Sequence, residues 1–290
     1  MGLLKEASLR TPDGKVSPGL GEGPDGRRSR VGRETPVLEI LLAASLACLF
    51  LQIAWPYVND WRNRPRAGWQ VEQHFMDEQS ATGTQYLLYL PDAYSPEGQP
   101  WPLVVYLHGS GLRGRDLDLV ASEGPPRLAR EGEPLPFILA SPQCPQNQSF
   151  DPKMVRSLVE HVVEQHQIER EKIYLTGYSM GGFGTWQAAA AYPDLFAAFA
   201  PLCGGGNPDE AESLAQTPVW AFHGDQDKVV PLEQTTLMTE AVTNAGGEVT
   251  LSILPGMGHA ICDDVYSDRS LFDWLLTHRK RVPLEAEVAK

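Results

Sequence analysis

The chain has 290 residues, 42% hydrophobic and 21% charged, enough for one core of roughly 200–230 residues with segments to spare. Its charge is uneven: residues 1–66 carry ten Lys/Arg against seven Asp/Glu, and the remainder fourteen against thirty. So acidic a main body repels nucleic acid and anionic lipid headgroups, which excludes both as natural ligands.

Residues 1–36 are rich in Gly, Pro, Arg, Ser and acidic residues with almost no apolar periodicity. Such a tail buries too little surface to offset its ordering entropy and is expected to be disordered. Val37 to Trp55 then reads VLEILLAASLACLFLQIAW, a helix of about 28 Å against a hydrocarbon layer of about 30 Å. Trp55 and Tyr57 suit a headgroup zone, and Pro56 ends the helix. Signal-peptide cleavage would place Gln52 and Ala54 before the cut, a poor site. A lipoprotein cut before Cys48 is followed by Leu49, Phe50 and Leu51, where polar residues are expected. The expectation is therefore an uncleaved single-span anchor. Arg27, Arg28, Arg30 and Arg33 precede it, and Arg62, Arg64 and Arg66 follow; the balance favours an extracytoplasmic domain.

After a linker at 56–68, residues 69–281 form the expected catalytic domain, with a flexible tail at 282–290. His74 lies in a stretch that reads as an early strand. Further strand signals run over Gln85–Leu90, Leu103–Leu107, Phe137–Ser141, Ile173–Thr176, Ala197–Leu202, Val219–Phe222 and Val249–Leu254. The central runs are continuously apolar, as in parallel strands covered on both faces. Helical patterns alternate with them at Lys153–His166, Gly181–Ala191, Leu232–Ala245 and Ser270–Arg279. This alternation predicts an α/β fold with a mostly parallel central sheet and helices on both faces. The four cysteines, Cys48, Cys144, Cys203 and Cys262, do not make a disulfide framework or sit at metal-ligand spacing. Unpaired buried thiols are expected rather than a Cys203–Cys262 bridge. No cofactor or metal motif is present, and neither is expected.

The most informative string is IYLTGYSMGG, Ile173 to Gly182. An apolar strand signal precedes Gly177-Tyr178-Ser179-Met180-Gly181 and an Ala-rich helical pattern follows, the setting that G-x-S-x-G requires. Glycines two residues either side of the serine let strand and helix meet in a very tight turn. The hydroxyl then stands above the sheet at a helix N-terminus, where positive partial charge favours a developing anion.

Serine needs an imidazole to take its proton. Among the seven histidines, His108, His223 and His259 follow strands, and strand carboxyl ends carry the chemistry in this topology. Only His259 lies beyond both serine and carboxylate in the chain order Ser, Asp, His. In VWAFHGDQDKVVP, Asp227 is the expected orienting acid. Asp225 falls within the turn, where Asp often bonds its own backbone; Asp263 and Asp264 are fallbacks. The oxyanion hole is expected from the Met180 amide and from Ser110 or Gly111 in His108-Gly109-Ser110-Gly111, a loop no Gly-Lys-Ser/Thr follows and so not a phosphate loop.

LHGSGLRG, GYSMGGFGTWQAAAAYPDLFAAFAPLCGGG, FHGDQDKVVP and GMGHAICDDVY together resemble the α/β-hydrolase esterases grouped around phospholipase/carboxylesterases, acyl-protein thioesterases and dienelactone hydrolases, most of all the "predicted peptidase" esterase branch. The resemblance spans Gln85 to Leu276. It implies Ser179 as nucleophile, Asp227 as acid, His259 as base, and Ser110 with Met180 as oxyanion donors. The nucleophile is Ser and not the Cys of dienelactone hydrolases proper, and Cys262 stands where relatives often carry an aromatic. Only Cys203 to Pro218 separate the sixth strand from the acid strand, too few for a large lid. The expected activity is a serine carboxylesterase acting on small or short-chain esters through an acyl-enzyme, with a small-molecule ester as its partner. The alternatives are a prolyl-oligopeptidase-like peptidase, which has no room here for its propeller, and a non-catalytic module, which would typically have lost a triad residue.

Overall fold

The computed structural model of the chain describes residues 64–76 and 83–280. The expected tail at 1–36, the apolar helix at 37–55, most of the linker and the C-terminal tail lie outside the described residues. Among the described residues, no helix is long and apolar enough to cross a membrane.

Eight strands form one sheet: β1 Gln70–Phe75, β2 Thr84–Tyr89, β3 Trp101–Leu107, β4 Ile138–Pro142, β5 Ile168–Tyr178, β6 Ala198–Leu202, β7 Val219–Gly224 and β8 Val249–Leu254. Their spatial order is β1-β2-β4-β3-β5-β6-β7-β8. β1 and β2 pair antiparallel, as do β2 and β4; every later pairing is parallel. The chain leaves β3 for β4 on one side and returns to β5 on the other. The crevice at the carboxyl ends of β3 and β5 is therefore the point where the winding direction reverses, the usual place for a ligand in an open α/β sheet.

Side chains alternate along each strand, so the sheet has two cores. Leu103, Val105 and Leu107 of β3 face one, packed against α3 (Pro152–Gln165), α4 (Met180–Ala191) and α6 (Glu233–Asn244) through Val159, Trp186 and Met238. Val104 and Tyr106 face the other, with Leu128 of α2 (Gly124–Arg130), Val265 of α7 (Cys262–Ser267) and Leu271 of α8 (Ser270–Thr277). Two single-turn helices, α1 (Leu117–Val120) and α5 (Ala211–Leu214), complete the α-helices among the described residues. Asp151 caps α3 by accepting from the Lys153 amide, with Pro152 at the first helical position where no amide is needed.

The sheet is longer than the apolar runs suggest. β5 begins at Ile168, five residues before its apolar run, because Glu169 to Lys172 continue the strand with partly exposed side chains. Between β6 and β7 the chain makes only a 3₁₀ turn at Pro208–Glu210 and α5, so this connection forms no large lid, and among the described residues none covers the carboxyl edge. Cys144, Cys203 and Cys262 are buried free thiols.

Candidate active site

Ser179 connects β5 directly to α4 with φ 55° and ψ −114°, a left-handed backbone that a non-glycine residue rarely adopts. The crowding that holds it there is visible at Gly181, where an added β-carbon would overlap the Leu107 carbonyl oxygen. The Ser179 amide donates to Leu202 O at 2.9 Å, and its carbonyl accepts the first helical bond from Phe183 at 3.0 Å. The hydroxyl is thus fixed between β3, β6 and the start of α4.

His259 reaches it from the loop after β8. Its Nε2 lies 2.9 Å from Ser179 Oγ, and its Nδ1 lies 2.7 Å from Asp227 Oδ2. The acceptor-only carboxylate places the ring proton on Nδ1 and leaves Nε2 to accept from the serine hydroxyl. Three residues separated by up to 80 positions in sequence meet at the carboxyl ends of β5, β7 and β8. Asp227 is completed by the Val229 and Val230 amides, which donate to Oδ1 at 2.8 and 2.9 Å. Burial alone would push this carboxyl up, but the His259 hydrogen bond and the Val230 and Val229 amides outweigh it and hold it below 3.8.

Ser110 to Leu112 form a 3₁₀ turn after β3. The Leu112 and Arg113 amides turn back onto Gly109 O and Ser110 O at 3.2 and 3.5 Å, while Ser110 and Gly111 stand first, where such a turn supplies no acceptor. The Met180 amide occupies the same position in α4. Leu107 pairs with Gly177, which brings the two sets of amides to neighbouring strand ends.

The remaining candidates are placed elsewhere. His108 is fully buried beneath the 3₁₀ turn: Nδ1 donates to Gly109 O at 2.6 Å and Nε2 accepts from the Cys144 amide at 3.0 Å. Burial pushes it down to about 4, against the Gly109 bond, which raises it. Asp225 is expected from sequence to bond its own turn; in the structure its Oδ1 instead accepts from the Gly256 amide at 2.7 Å. It staples the acid loop to the loop leading to His259, because those loops leave adjacent parallel strands. Asp263, a fallback acid, instead accepts from the Gly124 amide at 2.9 Å and Arg127 Nε at 3.2 Å.

Sequence reasoning missed two supports. The Tyr178 hydroxyl donates to His259 O at 2.9 Å, with the rings 5.1 Å apart; its only signal was a place inside the G-x-S-x-G motif. The Cys203 thiol donates to the same carbonyl at 3.7 Å. Ligand atoms of Cys203, His223 and Asp227 lie within 4.8 Å of one another, which tests the set as a metal centre. It does not fit. Burial pushes the Cys203 thiol up to about 12, and His223 Nε2 faces the Val230 carbonyl at 2.9 Å, so both groups present protons where a cation needs lone pairs. Beside Met180 a pocket of about 340 Å³ is lined by Ser149, Phe150, Phe183, Gly184 and Gln187.

Residues 145–270 match the dienelactone hydrolase family. The chain is 27% identical over 216 residues to a bifunctional acetylxylan esterase/xylanase from Neocallimastix patriciarum, covering 71% of this chain and 31% of the relative. It is 30% identical over 121 residues to an acyl-protein thioesterase from Gibberella zeae, covering 37% of this chain and 49% of the relative. Among solved structures, a thermostable esterase superimposes with a TM-score of 0.63 at 28% identity, over 72% of this chain and 63% of that one. The chain thus spans about a third to a half of these curated relatives.

Proposed function

For a chain that carries a dienelactone hydrolase family domain on an α/β-hydrolase fold, we propose that it is a serine carboxylesterase hydrolysing small or short-chain esters. The observation that carries the reading is the unbroken Ser179–His259–Asp227 hydrogen-bond chain at 2.9 and 2.7 Å. Ser179 Oγ attacks the ester carbonyl carbon as its proton passes to His259 Nε2. Asp227 keeps the imidazole in the required tautomer and stabilises the imidazolium that forms. The carbonyl π pair moves onto oxygen, where the Met180 amide and that of Ser110 or Gly111 receive the negative charge, each contributing about 3–4 kcal/mol in the transition state. As the intermediate collapses, the alkoxide leaves with the proton from Nε2. Water then attacks the acyl-serine by the same route, giving acid and free enzyme. The cycle uses side chains, backbone amides and water.

The short β6–β7 connection and the Phe150–Phe183 pocket beside Met180 support a short acyl or small aryl group as substrate. The apolar run 37–55 and its flanking arginines support tethering of the domain by one N-terminal helix on the extracytoplasmic side.

The test is covalent labelling by a fluorophosphonate probe together with turnover of p-nitrophenyl acetate and of a peptide anilide. Wild type is expected to label and to cleave the ester, and Ser179→Ala to lose labelling and ~10⁴–10⁶-fold in kcat. Labelling that survives in Ser179→Ala, or cleavage of the anilide in preference to the ester, overturns the reading.

A further inference from the structure

The triad acid has a second histidine against it. His223 closes β7, is fully buried, and directs Nε2 at two atoms: Val230 O at 2.9 Å and Asp227 Oδ2 at 3.3 Å. A carbonyl and a carboxylate are acceptors only, so Nε2 carries a proton whatever the state of the rest of the ring. Asp227 Oδ2 has an imidazole nitrogen on two sides: His259 Nδ1 donates to it at 2.7 Å, and His223 Nε2, whose proton goes to Val230 O, lies 3.3 Å away. The carboxylate accepts from three donors, the Val229 and Val230 amides on Oδ1 and His259 Nδ1 on Oδ2, with His223 Nε2 close beside Oδ2.

The back of the His223 ring is held as firmly. Nδ1 is 2.7 Å from Thr235 Oγ1, and Thr235 Oγ1 donates to Gly204 O at 2.6 Å. Thr235 lies in α6, and Gly204 in the loop after β6. One ring thus ties together the ends of β6 and β7, the acid loop and α6. By holding Val230 O it also orients the segment whose amides grip Asp227 Oδ1. Packing alone requires no such donor: an apolar side chain fills the volume, but leaves Val230 O unpaired and one side of Oδ2 bare.

We propose that His223 is a positioning residue for the esterase reaction, its Nε2–H holding Val230 O, and with it the Val229 and Val230 amides that keep the Asp227 carboxylate in the orientation that serves His259. This rests on the assignment of Asp227 and His259 as acid and base. The role is to keep Asp227 from rotating, and so to hold the imidazole at hydrogen-bonding distance from Ser179 when charge builds on it. Loss of the donor should then lower kcat without altering KM, because no substrate atom is touched.

The matched pair His223→Gln and His223→Met tests this, since the two side chains have nearly the same shape and only Gln carries a donor where Nε2 stood. The expected result is a ~10–50-fold fall in kcat for Met with KM within about twofold, and recovery by Gln to within about fivefold of wild type. A readout independent of turnover is the low-field proton resonance of the His259–Asp227 hydrogen bond, expected in wild type and the Gln variant but broadened or displaced in the Met variant. Thr235→Val, which releases the far side of the ring with little change of shape, should lower kcat in the same direction by a smaller factor. Equal kcat and equal resonances in the Gln and Met variants, whether both match wild type or both fall, would show that the donor is irrelevant and overturn the proposal. Should neither His223 variant fold, an unchanged kcat and resonance in Thr235→Val overturns it and their change supports it. A wild-type protein that shows the resonance but turns over no ester would instead count against the esterase reading, leaving the resonance comparison to decide the role of His223.

Discussion

His108, His223 and His259 each follow a β-strand, and what separates them is the chemistry facing their ring nitrogens. At His259 one nitrogen meets a carboxylate and the other a hydroxyl, an arrangement that can take up a proton and return it. At His108 one nitrogen meets a carbonyl and the other accepts an amide, so protonation of the ring breaks the Cys144 contact. The unfolded chain therefore takes up this proton first as the pH falls. His108 has an ordinary value of 6.5 lowered to about 4 by burial, and its stabilisation is complete above 6.5 and lost as the pH drops toward 4. Urea melts between pH 7 and 4.5 should show a falling unfolding free energy, with His108 contributing up to about 3 kcal/mol of the change. His166, lowered to about 4 by burial, adds to the same slope. His108→Gln should be less stable at pH 7 and flatter in this window; an unchanged slope would contradict the assignment. Asp227, lowered in the fold by hydrogen bonds that outweigh burial, contributes fully above the ordinary aspartate value and loses that contribution as the pH falls below it.

At the level of elements, the strand–serine–helix turn depends on backbone proximity as much as on the serine. α4 runs so close to β3 that the Leu107 carbonyl occupies the space a side chain at 181 would need. Gly181→Ala must therefore move the start of α4 away from the sheet. The expected cost is about 2–3 kcal/mol of stability from overpacking, with a loss of kcat on the order of 10²-fold, because displacing Ser179 Oγ even by about 1 Å from His259 is costly. Urea melts and ester turnover on the same variant check both effects; wild-type kcat would mean that the turn relaxes without moving the serine. The motif's glycines were legible in sequence because this geometry admits few residue types. The roles of Tyr178 and Cys203 were not, since a buried tyrosine or thiol fits many environments and their bonds to His259 O exist only once the ends of β5 and β6 have been brought to the loop after β8.

On the scale of the molecule, the short connection from β6 to β7, containing only a 3₁₀ turn and α5, leaves the carboxyl edge open. That connection offers no lid, among the described residues, for a lipid interface to displace. A p-nitrophenyl ester series is expected to peak at acetate to butyrate and decline with chain length, with no jump in rate as substrate passes its solubility limit. Robust hydrolysis of long-chain triglyceride emulsions would contradict this.

The mostly parallel sheet, the glycine-flanked turn at Ser179 and the chain order of Ser179, Asp227 and His259 were already legible in the residue pattern. Apolar runs, glycine spacing and strand ends are local constraints, which the polymer expresses wherever it folds. Strand order was not local. It decided that the carboxyl ends of β3 and β5 adjoin, that Asp225 braces Gly256 instead of its own turn, and that His223 lies 3.3 Å from the carboxylate that serves His259. These are contacts between segments that approach only when the sheet closes, and nothing in the spacing of residues along the chain encodes a distance across it.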